Sequence, residues 1–202
     1  MPSQSHQPAA ARPIPALFFI PLIAALGAAC TSSEAPPDGA LVDIDGIPRG
    51  TLAHPAHGRW SALLFVGTDC PVSNQYAPEI RRICNQYAPA GVQCTLIYSE
   101  RQSTAGQVRA HQDAFGLGEI PAVIDTGQSL AGLAGASVTP QAVVYAADGA
   151  LAYSGRIDNL YMELGRPRQG ATEHDLRNAL EDLVAGRAVR TPRTQAIGCY
   201  IE

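Results

Sequence analysis

Five cysteines, Cys30, Cys70, Cys84, Cys94 and Cys199, are the residues of this 202-residue chain whose chemistry and placement suggest a reaction. Cys70 stands at a junction. It follows the continuous apolar run Ala62-Leu63-Leu64-Phe65-Val66 and the turn Gly67-Thr68-Asp69. After it, Tyr76, Ile80, Ile83, Cys84 and Tyr87 recur at three- and four-residue spacing. The first pattern is a strand buried on both faces and the second is one face of a helix. At a helix start, unpaired amides and the positive end of the dipole favour a thiolate, lowering a cysteine below its free pKa of about 8.5. Asp69 opposes this with a like charge. Such a cysteine is either a redox or metal-binding thiol, or a small buried side chain or passive disulfide half; the junction favours the former.

The elements that position Cys70 can be traced along the sequence. The alternation Leu41-Val42-Asp43-Ile44-Asp45-Gly46 suits a short edge strand. The helix after Cys70 is interrupted by Pro78, which removes an amide hydrogen and clashes with the preceding turn, so a kink or restart is expected there. Pro89-Ala90-Gly91 ends it, and Val92 to Tyr98 forms a second apolar strand. Strand, helix and strand with a crossover of this length imply a parallel pair. A second helix spans about Thr104 to Phe115, with Val108, His111 and Ala114 or Phe115 on one side, and Ile120 to Asp125 is a short strand. A brief helical turn at Ser129 to Ala134 precedes Val138-Thr139-Pro140. Two apolar runs, Gln141 to Tyr145 and Leu151 to Ser154, flank Asp148-Gly149 and predict a β-hairpin. A last helix starts with Thr172 as N-cap and Glu173 in its first turn, buries Leu176, Leu180 and Leu183, and ends before Gly186.

The N-terminus is of another kind. Arg12 precedes an apolar run from Ile14 to Ala29 that suits a signal peptide. Leu26-Gly27-Ala28-Ala29-Cys30 resembles a bacterial lipobox, although Gly27 stands where a large aliphatic residue is preferred. The expected organisation is a signal peptide over 1–29, a tether over 30–39, a domain over 40–187, and a tail over 188–202 that packs on the domain. The resemblance implies lipidation at Cys30 and a membrane-anchored lipoprotein in the periplasm; plain secretion is the second reading. The formal charge is −4, one unit more negative beyond Arg12, and there is no lysine. Schiff-base and P-loop lysines are thereby excluded, and the acidic balance speaks against nucleic acid as a partner.

Phe65 to Ser73, the interrupting Pro78, Val138-Thr139-Pro140 before a strand, and the Asp148-Gly149 hairpin together resemble the thioredoxin-like redoxins, which include the alkyl hydroperoxide reductase and thiol-specific antioxidant group. The resemblance covers residues 40 to 185. It implies an α/β thioredoxin-like fold with a central mixed β-sheet flanked by helices. It also implies Cys70 as attacking thiol and a cis proline at Pro140, presented with Thr139 across the site. Two departures stand out. Ser73 occupies the place of the second cysteine of a CxxC motif, so no local disulfide forms. Gly67 and Leu63 stand where a peroxiredoxin places its Thr or Ser and its Pro, which weakens the peroxide reading.

A distant cysteine could supply the missing partner. Cys199 lies in Ala196-Ile197-Gly198-Cys199-Tyr200, where Gly198 allows a turn toward Cys70. A subgroup of exported redoxins joins a DCP motif to such a GC-containing tail, which implies Cys199 as resolving thiol; a static staple and unpaired thiols are the other readings. Cys84, near the helix end, and Cys94, in the next strand, form the favoured structural disulfide, with two buried free thiols as the alternative. The expected activity is exchange with a thiol- or disulfide-containing protein or a small thiol, with peroxide as a further oxidant and no cofactor. The rival is a nonenzymatic binding module, such as a copper carrier built on Cys70, Cys199 and a histidine. His54, His57 and His174 are dispersed, and His111 on its apolar face is expected to pack. Arg156 and Asp158 are read as a pair, a rim element or a surface salt bridge.

Overall fold

The computed structural model describes residues 40–54 and 59–202. The leader, Cys30, the tether and His57 lie outside the described residues. Strand β3 (Trp60–Val66) is buried along all seven residues. It earns that position by pairing on both edges, in parallel with β4 (Val92–Tyr98) and antiparallel with β7 (Gln141–Ala146). β5 (Ala122–Ile124) extends the sheet beyond β4, and β8 (Leu151–Gly155) extends it beyond β7, giving the order β5-β4-β3-β7-β8. The mixed sheet therefore carries the hairpin at one side and the parallel crossovers at the other.

Alternation along β3 divides the core. Ala62 and Leu64 face a cluster with Tyr76, Ile80, Ile83, Leu176 and Leu180, while Leu63 and Phe65 face another with Leu130, Ala131 and Leu41. On the first face lie α1 (Pro71–Tyr87), α2 (Ala105–Phe115) and α4 (Asp175–Val184). On the second lie α3 (Ser129–Ala134) and the hairpin of β1 (Ala40–Val42) and β2 (Pro48–Thr51). Each large aliphatic side chain buried this way contributes about 1.5–3 kcal/mol, which fixes the sheet as a rigid floor for the residues at its ends.

Several local expectations change. Helix α1 does not restart at Pro78 but runs unbroken from Pro71 to Tyr87. The neighbouring Ala77 and Ile80 have no solvent exposure, and their packing holds the turn despite the lost hydrogen bond. In α2 the buried face is Val108, His111 and Gln112, whereas Ala114 and Phe115 are exposed. Gln112 turns inward because its amide donates to the Leu117 and Ile120 carbonyls. Thr172 does not cap α4. Its amide and that of Glu173 donate to the Asn159 side chain, the helix begins at Asp175, and Leu183 is only half-buried. The acidic residue in the first turn is Asp175 rather than Glu173.

Beyond α4 the chain turns back across the domain. Buried Asp182 accepts from Arg187 and Arg190, and the Ser154 amide donates to the Pro192 carbonyl while the Thr194 amide donates to Ser154. These contacts bring the tail along β8. The last strand, β11 (Cys199–Tyr200), then pairs antiparallel with β6 (Val138–Thr139), with Cys199 opposite Thr139. Between them β9 (Tyr161–Glu163) and β10 (Arg166–Pro167) form a separate small hairpin. Among the described residues no helix is long and apolar enough to cross a membrane.

Candidate active site

Cys70 is the N-cap of α1. Its extended backbone conformation and Pro71 at the first helical position start the helix without wasting an amide. The Ser73 amide, one of the orphan donors of the first turn, points at the Cys70 sulfur from 3.4 Å. Facing it is the Thr139-Pro140 peptide, which is cis. The protonated Cys70 thiol donates to the Thr139 carbonyl at 3.1 Å, and the Cys199 sulfur stands 2.7 Å away. Both are free thiols; Cys70 is buried at 4 % exposure and Cys199 is half-buried.

The surroundings treat the two sulfurs differently. Burial pushes Cys70 up, but hydrogen bonds from the Cys199 thiol, the Thr139 side chain, and the side chain and amide of Ser73 more than offset it and bring the thiol down to about 7. Burial also pushes Cys199 up, and here its bond to Cys70 and the Cys70 charge add to the rise, to about 11. Around neutral pH, then, Cys70 passes from thiol to thiolate, while Cys199 keeps its proton and can donate it to the Cys70 sulfur. An attacking nucleophile and a protonated reserve is the ionisation pattern that sequential thiol exchange requires.

The loop leading to Cys70 is held from behind. The Thr68 amide and hydroxyl donate to one Glu100 oxygen at 2.5 and 3.0 Å, and Ser103 donates to the other. Asn74 donates to the Thr68 carbonyl and meets His111 Nε2 at 2.8 Å, while His111 Nδ1 meets the Tyr98 hydroxyl at 2.9 Å. Burial lowers the His111 pKa, so it serves as a neutral link, donating to Asn74 and accepting from Tyr98. Gly67 sits where these parts meet. A β-carbon there would lie 3.0 Å from Glu100 Oε1, 3.1 Å from Cys70 Cβ and 3.3 Å from Thr139 Oγ1. Glycine leaves the space in which the strand end, the thiol and the Thr139 segment converge.

On the other flank, Tyr76 donates to Asp158 at 2.6 Å, and its ring lies 6.0 Å from that of Tyr161, which donates to Gln75. Asp158 therefore does not pair with Arg156. The Arg156 guanidinium reaches instead to Asp175 at 2.7 Å and Glu173 at 2.5 Å, tying β8 to the start of α4. A cavity of about 310 Å³ opens beside the two thiols, lined by Asp69, Glu100, Arg101 and Tyr200 among others.

Cys70, Cys199, Thr139 and Pro140 are thus brought together, whereas Cys84 and Cys94 are joined to each other by a disulfide with Cα atoms 5.8 Å apart. Among the described residues no group of three or more His, Cys, Asp or Glu is arranged to hold a metal ion. Sequence reasoning did not single out Ser73, Asn74, Glu100 or Tyr76 as site residues. For Ser73 a signal existed, since the third residue after a helix N-cap is the one whose amide faces the cap side chain. For the others the partners are remote in sequence.

No model of a known protein family matches the sequence, and no curated protein matches it. Solved structures do. An uncharacterized conserved protein from Geobacillus kaustophilus is 26% identical with a TM-score of 0.69, over 82% of this chain and 88% of that one. A hypothetical protein from Sinorhizobium meliloti 1021 is 28% identical with a TM-score of 0.68, over 80% and 88%. A secreted Mycobacterium tuberculosis disulfide oxidoreductase, homologous to E. coli DsbE, is 17% identical with a TM-score of 0.52, over 71% and 95%. This last likeness is one of fold. The fold is thioredoxin-like, its neighbours include thiol-disulfide oxidoreductases, and it carries two cysteines side by side.

Proposed function

We propose that this protein is a thiol-disulfide oxidoreductase in which Cys70 attacks and Cys199 resolves. The Cys70 thiolate attacks one sulfur of a partner disulfide, forming a mixed disulfide and expelling the other sulfur as a thiolate. Cys199 then gives up its proton and attacks the Cys70 sulfur, closing a Cys70–Cys199 disulfide and releasing the partner's second thiol. Two electrons pass to the partner, which leaves with two thiols. Run in reverse, the same steps oxidise a dithiol. Thr139 and Pro140 position the backbone that faces the attacking sulfur.

The observation that carries this reading is the contact of two free thiols at 2.7 Å with their pKa values moved in opposite directions, to about 7 and about 11. The exchange reading is preferred to peroxide reduction because the Thr68 hydroxyl, the nearest counterpart of a peroxidatic Thr, donates to Glu100. The test is disulfide mapping of the reduced chain after one equivalent of a model disulfide, for wild type and Cys70→Ser. Wild type should gain a Cys70–Cys199 link. If Cys70→Ser consumes the disulfide equally fast, the proposal fails.

The leader and the lipobox-like Leu26 to Cys30 support an extracytoplasmic location with a lipid at Cys30. Cys30→Ser should move the protein from the membrane fraction to the soluble periplasmic fraction; unchanged membrane retention would remove the lipid from this account.

A further inference from the structure

The tail strand occupies the approach to Cys70. With 4 % of Cys70 exposed and Cys199 against its sulfur, the docked tail restricts the approach of an incoming disulfide from its own side of the cavity. Its docking is built from several contacts. Gly198 lies so flat over the Thr139-Pro140 peptide that a β-carbon there would overlap the Thr139 carbonyl. Cys199 and Tyr200 pair with Thr139 and Val138, and the Ile201 amide donates to the Ser137 carbonyl at 3.0 Å. Ile197 and Ile201 rest on the two apolar clusters, one on each.

Strand β6 has β11 as its sheet partner among the described residues. When the tail lifts, β6 presents unpaired backbone groups directly beside the attacking thiol, and an open edge of this kind pairs with extended peptide. Building on the exchange reading above, we infer that the tail is an internal competitor of the substrate. The substrate is an extended, disulfide-bearing polypeptide segment that takes the place of β11 on β6 in the first exchange and is evicted by the returning tail in the second.

This assigns one contact opposite effects on the two steps. Before reaction the tail is down, and the first step is proportional to the small fraction in which it is up. Within the mixed disulfide the partner holds the edge, and the second step is proportional to the fraction in which the tail regains it. Weakening the dock raises the first fraction and lowers the second.

The experiment uses the full-length chain and a disulfide-linked dimer of a short neutral cysteine peptide. The first step is timed in a Cys199→Ser background and the second with both thiols present. Gly198→Ala should speed the first step and slow the second, each by about tenfold, a change of the size a single displaced contact produces. Ile201→Ser weakens the dock without crowding the cis peptide and should move both steps in the same directions. A peptide N-methylated at its cysteine, unable to donate to β6, should lose most of its first-step rate in every variant. Unchanged first-step rates in both variants, slowing of both steps, or indifference to N-methylation would each overturn the inference while leaving Cys70 exchange intact. Absence of any Cys70-dependent exchange would instead overturn the exchange reading itself.

Discussion

The molecule holds two pairs of cysteines, and they are built for opposite ends. Cys84 and Cys94 are ten residues apart, sit on a helix and the next strand, and are buried in an apolar cluster. Cys70 and Cys199 are 129 residues apart and lie between a helix start, a cis peptide and a cavity. On the exchange reading proposed above, what separates the staple from the reacting pair is the supply of hydrogen-bond donors. The first pair is packed in an apolar cluster and joined as a disulfide, whereas Cys70 has the Ser73 amide and the Cys199 thiol directed at it.

The sharpest way to break this comparison is to remove each pair in turn. Cys70→Ser should abolish exchange with a model disulfide, and residual Cys70-independent turnover would erase the distinction. Cys199→Ala should leave the first attack in place but trap the mixed disulfide, visible as a persistent adduct by mass spectrometry. The same variant tests the electrostatics. Because Cys70 is lowered to about 7, its alkylation rate should rise with pH through about 7 and level off above it, falling away as the thiol reprotonates below. Loss of the Cys199 donor should carry that midpoint upward.

Removing the other pair by Cys84→Ala with Cys94→Ala should cost stability rather than chemistry. A bridge across so short a loop constrains the unfolded chain by about 2–3 kcal/mol, read as a lower urea midpoint, with the exchange rate changed by less than about twofold. The smallest effect belongs to Ser73→Ala. It keeps the amide and loses only the hydroxyl, so the Cys70 midpoint should climb by less than in Cys199→Ala. An equal rise would show that Cys199 is no special partner.

The fold was readable where burial writes itself locally. The apolar run before Cys70, the helical spacing after it and the parallel strand that follows all depend on neighbours within a turn or a pleat. The pairing of Arg156 was not readable, because Asp175 and Glu173 reach it only when α4 docks on β8. Thr172 resembled an N-cap in sequence, yet Asn159 from an earlier loop claimed the segment and delayed the helix. In the site, the cysteine types pointed to the chemistry, while Glu100, Asn74 and His111, which brace the Cys70 loop, are joined through contacts that span 13 to 37 residues. Such partners follow from the folded topology and leave no periodic trace.

The long separation of Cys70 and Cys199 has a consequence for the order of events as the chain matures. In an unfolded polymer the chance that two residues meet falls as about the three-halves power of the segment between them, so this encounter is roughly 45-fold rarer than that of Cys84 with Cys94. A newly made chain entering an oxidising compartment would close the short bridge first by chance alone. Cys70 and Cys199 are brought together only once β6 exists to receive the tail, and on the proposed exchange reading their redox capacity is a signature of completed folding.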